Sequence, residues 1–225
     1  MFEQMKGLTP KQKIEYYIQY YGIITLVIIA VAAAVVSFVV QRVRAKEEAA
    51  GVIVVNSAPA MSEGTNDQAY MDDLLASMDI DPSKNTIAVN DNIYIGDSTD
   101  VQMAAAGIQM LQALIMSRAA DVAFTDESYR DAFMGNECLG DLRDYLDAQL
   151  LEKYADDLVY HTDSETGEEI AAMIRIPADS AWMQGVGWYM QDCYAGIIVA
   201  TEHEDIAVHM LLRALGEEEF AVHDE

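Results

Sequence analysis

The sequence predicts an α/β protein in which an N-terminal transmembrane helix precedes one domain built on a mostly parallel sheet. Three observations predict it. A nineteen-residue run without charge, GIITLVIIAVAAAVVSFVV, covers Gly22 to Val40. After it, short apolar strand patterns alternate with helical ones. With 225 residues and a hydrophobic fraction of 52%, the chain beyond the run is long enough for one substantial core.

At about 1.5 Å rise per residue, the run from Gly22 to Val40 matches the thickness of a bilayer's hydrocarbon core. Tyr16, Tyr17, Tyr20 and Tyr21 before it suit the headgroup layer, and Arg42, Arg44 and Lys46 after it can snorkel. The run is long for a signal-peptide core and ends in arginines instead of a small-residue cleavage site. Upstream, Thr9 with Pro10 starts a helical pattern that puts Ile14, Tyr17, Ile18 and Tyr21 on one face. The expected organisation is a juxtamembrane amphipathic segment over 1–21, the transmembrane helix over 22–40, a polar tether over 41–50 and an acidic α/β domain over 51–225. Three bases lie on each side of the run, so the positive-inside rule is close to a tie. A short basic tail without a cleavage site behaves as a signal anchor, which sets the domain outside the cell membrane on a single-pass protein.

Within the domain, strands are expected at 51–56, 86–96, 121–126, 157–162, 169–176 and 195–200. Helices are expected at 66–78, 100–119, 127–133, 139–151 and 203–215, the last with Thr201 as its cap and Glu204 completing a capping box. Strand and helix in alternation imply right-handed crossovers and a sheet covered on both faces.

Charge then limits the partners. Taking Glu3 and Glu15 from the 38 acids, and the six bases up to Lys46 from the 13, leaves 36 acids against 7 bases from Glu47 onward, or −29. Such a surface repels phosphate backbones, which argues against nucleic acid. The bilayer, through 22–40, is the one partner the sequence names directly, with a small solute or a membrane protein as the further candidates. Cys138 and Cys193 sit in no metal or redox spacing, and sequence leaves open whether they are bridged.

Motifs for catalysis are missing. The chain has no G-x-S-x-G, Walker loop, H-E-x-x-H or G-x-G-x-x-G, and its four histidines do not fall at metal-pair spacing. The acidic stretches DNIYIGDSTD and TDSETGEE lack the order of a helix-loop-helix calcium site. No enzyme, catalytic residue, cofactor or metal is therefore expected. Ligand sites in parallel sheets form at strand C-termini, and this rule nominates Asn56, Ser57, Thr125 and Asp126. Trp182 and Trp188, beside glycines in DSAWMQGVGWYMQDCY, are candidates to line a cleft, and of the two Trp182 is taken as the ligand contact.

Two resemblances bear on these segments. LTPKQKIEYYIQYYG with the apolar run resembles the N-terminus of uncharacterised bacterial single-pass membrane proteins. LIMSRAADVAFTDESYRDAFMGNECLGDLRDYL and YAGIIVATEHEDIAVHMLLRAL are similar to segments of bacterial extracellular solute-binding proteins, of the type 2 periplasmic-binding kind. That resemblance implies one truncated lobe that captures a small solute. Such proteins hold ligand between two lobes, and the residues after the tether suffice for one. Two alternatives stand beside it. An interaction or assembly protein predicts a contiguous apolar patch, and a metal-dependent hydrolase predicts clustered carboxylates.

Overall fold

A computed structural model describes residues 11, 23–34, 36–37, 46–57, 67–96, 100–164, 166–199 and 201–217. The chain divides into two units, Met1–Ala45 and Lys46–Glu225. In the first, residues 23–34 and 36–37 are helical, and the large apolar side chains described there, from Ile23 to Val36, are exposed. Among the described residues no helix is long and apolar enough to cross a membrane; the unbroken described stretch is shorter than the about 20 residues a span takes. Apart from Lys11, the juxtamembrane segment lies outside the described residues, as do the tether residues 41–45.

The second unit is an α/β domain. Its elements run β1 (Glu47–Val55), α1 (Asp67–Ser77), β2 (Asn85–Ile93), α2 (Val101–Met116), β3 (Val122–Thr125), α3 (Glu127–Met134), a 3-10 turn (Leu142–Asp144), α4 (Ala148–Lys153), β4 (Leu158–Thr162), β5 (Glu169–Ile176), α5 (Ala181–Val186), β6 (Cys193–Ile197) and α6 (Glu204–Leu215). Glu47–Ala50, read as tether in the sequence, belongs to β1, because the strand pairs with β2 from Glu47↔Asn85 onward.

The strands form one sheet in the order β2-β1-β3-β6-β5-β4. β1 is parallel to β2 and β3, whereas the β3–β6, β5–β6 and β4–β5 pairs are antiparallel. The expected mostly parallel sheet is therefore corrected to a mixed one. For β4 and β5 the reason is chain length: residues 163–168 join them, too few for a crossover and enough for a hairpin.

Alternation at period two sorts the core into layers. Val52, Val54, Val122, Phe124, Ala195 and Ile197 face α1, α5 and α6, while Ile53, Val55, Ala123 and Met173 face Leu111 of α2 and Phe133 of α3. Each large side chain so buried contributes about 1.5–3 kcal/mol. Cys138 and Cys193 are both buried and free. Burial pushes the Cys138 thiol up to about 11, so it stays protonated.

Local chemistry sets the element ends. Asp100, Asp147 and Ser180 cap α2, α4 and α5, and Gly216 ends α6 at φ 81°. Thr201 does not cap α6 as its spacing predicts. Its hydroxyl donates instead to the buried Asp121, whose other oxygen accepts from the Gly51 N–H at 2.7 Å. A buried carboxylate needs such donors more than a helix end open to water does.

Asp141 ties the 3-10 turn to β5. It accepts from the Arg143 Nε at 2.8 Å, the Arg143 N–H at 3.0 Å and the Ala171 N–H at 3.2 Å. Partial burial alone would raise its pKa, but those bonds outweigh burial and hold the carboxyl below its usual range. Its contribution is thus present above the unfolded value of about 4 and lost as pH falls through the folded value. Asp141→Asn is expected to cost on the order of 1–2 kcal/mol at neutral pH. Denaturant melts from neutral pH down to about pH 3 should show the gap to the wild type closing, and a pH-independent gap would disprove the assignment.

Candidate functional site

One edge of the sheet gathers the ends of four strands, because β1, β3 and β5 finish there and the antiparallel β6 starts there. A cavity of about 960 Å³ opens at this edge. Asn56, Asp126, Glu127 and Ser128 line one side, and Arg175, Tyr189, Asp192 and Tyr194 line the other, with Ala178, Met190 and Gln191.

Asn56 leaves β1 at φ 55°, a left-handed conformation that asparagine tolerates better than most residues. Its side chain closes a ring with the segment after β2. Nδ2 donates to the Ile95 carbonyl at 2.6 Å, and Oδ1 accepts from the Ile95 N–H at 2.7 Å. Nδ2 also reaches Asp126 Oδ1 at 3.0 Å, so the exits of β1 and β3 are bonded to each other. Asp126 precedes α3 without capping it; its second oxygen takes the Ser128 hydroxyl at 2.6 Å.

The opposite side is built from paired charges. Arg175 donates from Nε to Asp157 at 2.8 Å and from Nη1 to Asp192 at 3.0 Å, and Asp192 also accepts from the Ala178 N–H at 3.0 Å. The hydrogen bonds to Asp157 come first in holding the guanidinium above its ordinary value, so Arg175 stays charged. Tyr189 donates its hydroxyl to the Val55 carbonyl, stapling the 187–192 loop to the end of β1. Burial keeps that phenol neutral. The guanidinium of Arg130, on α3, lies 4.8 Å from the Tyr194 ring centre and occupies one face of it.

The lining therefore carries three carboxylates, Asp126, Glu127 and Asp192, against one guanidinium. Among the described residues no group of three or more His, Cys, Asp or Glu side chains is placed to hold a metal ion. What the arrangement can do is bind: fixed acceptors, a charged pair and two phenol rings border a space large enough for a small molecule.

Of the five residues named from sequence, the structure brings Asn56 and Asp126 together at the cavity. The other three lie elsewhere. Ser57 donates to the Asp91 carbonyl at 3.0 Å and Thr125 is 0% exposed within β3. Trp182 is a core residue, 6.1 Å from Phe124 and 5.4 Å from Trp188 between ring centres. Arg175, near the end of β5, lay within reach of the strand-exit rule and was passed over, whereas Tyr194 enters with β6, which starts at this edge, and Tyr189 and Asp192 belong to the loop before it. The short link after Thr162 signals the β4–β5 hairpin alone; the direction of β6 follows from its pairing with β3 and β5.

Comparison with models of known families, with curated proteins and with solved structures finds no match for this chain.

Proposed function

We propose that the chain is a single-pass, membrane-anchored binding module whose acidic domain, on the outer side of the cell membrane, captures a small solute carrying positive charge. The observation that carries this reading is the meeting of Asn56 and Asp126 at the mouth of a 960 Å³ cavity with an excess of carboxylates. That volume falls in the range of small-molecule pockets, about 300–1,000 Å³. Arg175 is already neutralised by Asp157 and Asp192, which leaves Asp126 and Glu127 to select charge. The anchor rests on the apolar run over 22–40 and its tyrosine and arginine flanks.

The test is thermal melting of the full chain in mild detergent with amines, amino acids, sugars and acidic metabolites. A cationic class is expected to raise the midpoint, since saturating to about a hundred times Kd adds about 2.7 kcal/mol. Glu127→Gln is expected to weaken that binding about tenfold, or about 1.4 kcal/mol, with at most a small drop in the unliganded midpoint from losing an acid in the first turn of α3. A cooperative melt unmoved by every class would sink the capture of solutes. A shift with anionic solutes alone would reverse the charge assignment.

A further inference from the structure

α2 contradicts the character of the domain that carries it. Its sixteen residues, VQMAAAGIQMLQALIM, include no charge, while α1, α3 and α6 each carry at least two acids. Only Gly107 and Leu111 are buried, and a Cβ on Gly107 would lie 2.8 Å from the carbonyl oxygen of Tyr94, just past the end of β2. Of the eight large hydrophobic residues exposed in this unit, among the described residues, five lie on α2, from Val101 at 82% to Met116 at 85%. An apolar helix so exposed marks a contact surface.

Charge and shape choose the occupant. Elsewhere two copies of a domain with a formal charge near −29 oppose like with like at contact; at the uncharged α2 only the longer-range repulsion is left, which salt screens beyond about 8–10 Å. At helical spacing, Ala105, Gln109 and Ala113 fall on the side turned away from the sheet, and all three are exposed. That centre is small and amide-bearing, unlike the bulky, base-flanked face of a helix that lies on lipid. Alanines let two backbones approach closely, and a glutamine amide, being both donor and acceptor, pairs with its own copy.

We infer that α2 is the contact between two copies of this chain, packed antiparallel about a two-fold axis at Gln109. Ala105 of each copy then faces Ala113 of the other, and each helix dipole lies against its opposite. A helix of about 24 Å buries less than the roughly 1,200 Å² of standard interfaces, so the association is weak and concentration-dependent.

Sedimentation of the full chain in mild detergent, from micromolar to sub-millimolar loading, is expected to show a monomer–dimer equilibrium. Ala105→Glu, a good helix former at an exposed site, should weaken it at least tenfold while leaving the circular dichroism unchanged. Under mild oxidation Gln109→Cys should give a covalent dimer much faster than Gln149→Cys, another exposed helical position, on α4. A monomer at every loading, an equilibrium indifferent to Ala105→Glu, or equal rates for the two cysteine variants would each overturn the inference. So would binding to phosphatidylcholine vesicles that Ala105→Glu abolishes in a chain that stays monomeric, which would assign the face to lipid. Solute binding at the cavity is read separately, by the Glu127→Gln comparison.

Discussion

Gly51→Ala is expected to prevent the acidic domain from folding stably. In the middle of β1, a Cβ at this position would stand 2.0 Å from the carbonyl oxygen of Ala119 and 2.8 Å from its carbon. The segment entering β3 is laced across the strand there. Asp121 N–H donates to the Gly51 carbonyl at 2.8 Å, and the Gly51 N–H donates to the Asp121 carboxylate. Overpacking usually costs about 1–3 kcal/mol because side chains change rotamer. Backbone has no such outlet, so the loss should exceed that range and consume much of a total stability of about 5–15 kcal/mol. Gly135→Ala is the matched control, since its Cβ would approach nothing nearer than 3.5 Å. The pair should separate in melting temperature and soluble yield; equal behaviour would mean that the two segments do not cross as described.

Phe124→Ala should be the other severe change, and it links packing to the cavity. Phe124 is fully buried in β3, with ring centres 5.2 Å from Trp188 and 6.1 Å from Trp182. Emptying the middle of that cluster is expected to cost about 3–5 kcal/mol. Because Trp188 adjoins Tyr189, whose hydroxyl holds the cavity loop to β1, affinity for the solute class proposed above should fall with stability. The chain has two tryptophans, both in this cluster, so a red shift of emission in the folded variant reads the loosening directly. Phe124→Leu, which keeps most of the volume, should recover most of the loss. Unchanged emission and an unchanged denaturant midpoint in Phe124→Ala would refute the packing described.

Each of the six strands was legible, because apolar β-branched runs such as GVIVV and EIAAMIRI carry their own pattern. Ends were less so. Thr201 has the spacing of a cap, but the buried Asp121 that claims its hydroxyl is 80 positions away in sequence. α5 was missed since its six residues, AWMQGV, are too few to show a period. The cavity was half legible: Asn56 and Asp126 come from a rule about parallel strands, whereas Arg175 and Tyr194 depend on the β5–β6 pairing that places them side by side. Sequence names which residues are polar at strand ends. Which ends share an edge is decided by topology.

The position of β6 governs how the domain is made. The last strand along the sequence lies in the middle of the sheet, between β3 and β5. Until residues 193–197 leave the ribosome the sheet cannot close, and any half-sheets β2-β1-β3 and β5-β4 that form would end on bare inner edges of unpaired N–H and C=O groups beside apolar side chains. Synthesis adds about 5–20 residues per second, so such edges would wait for seconds, during which a holdase that shields them would decide between one sheet and aggregation.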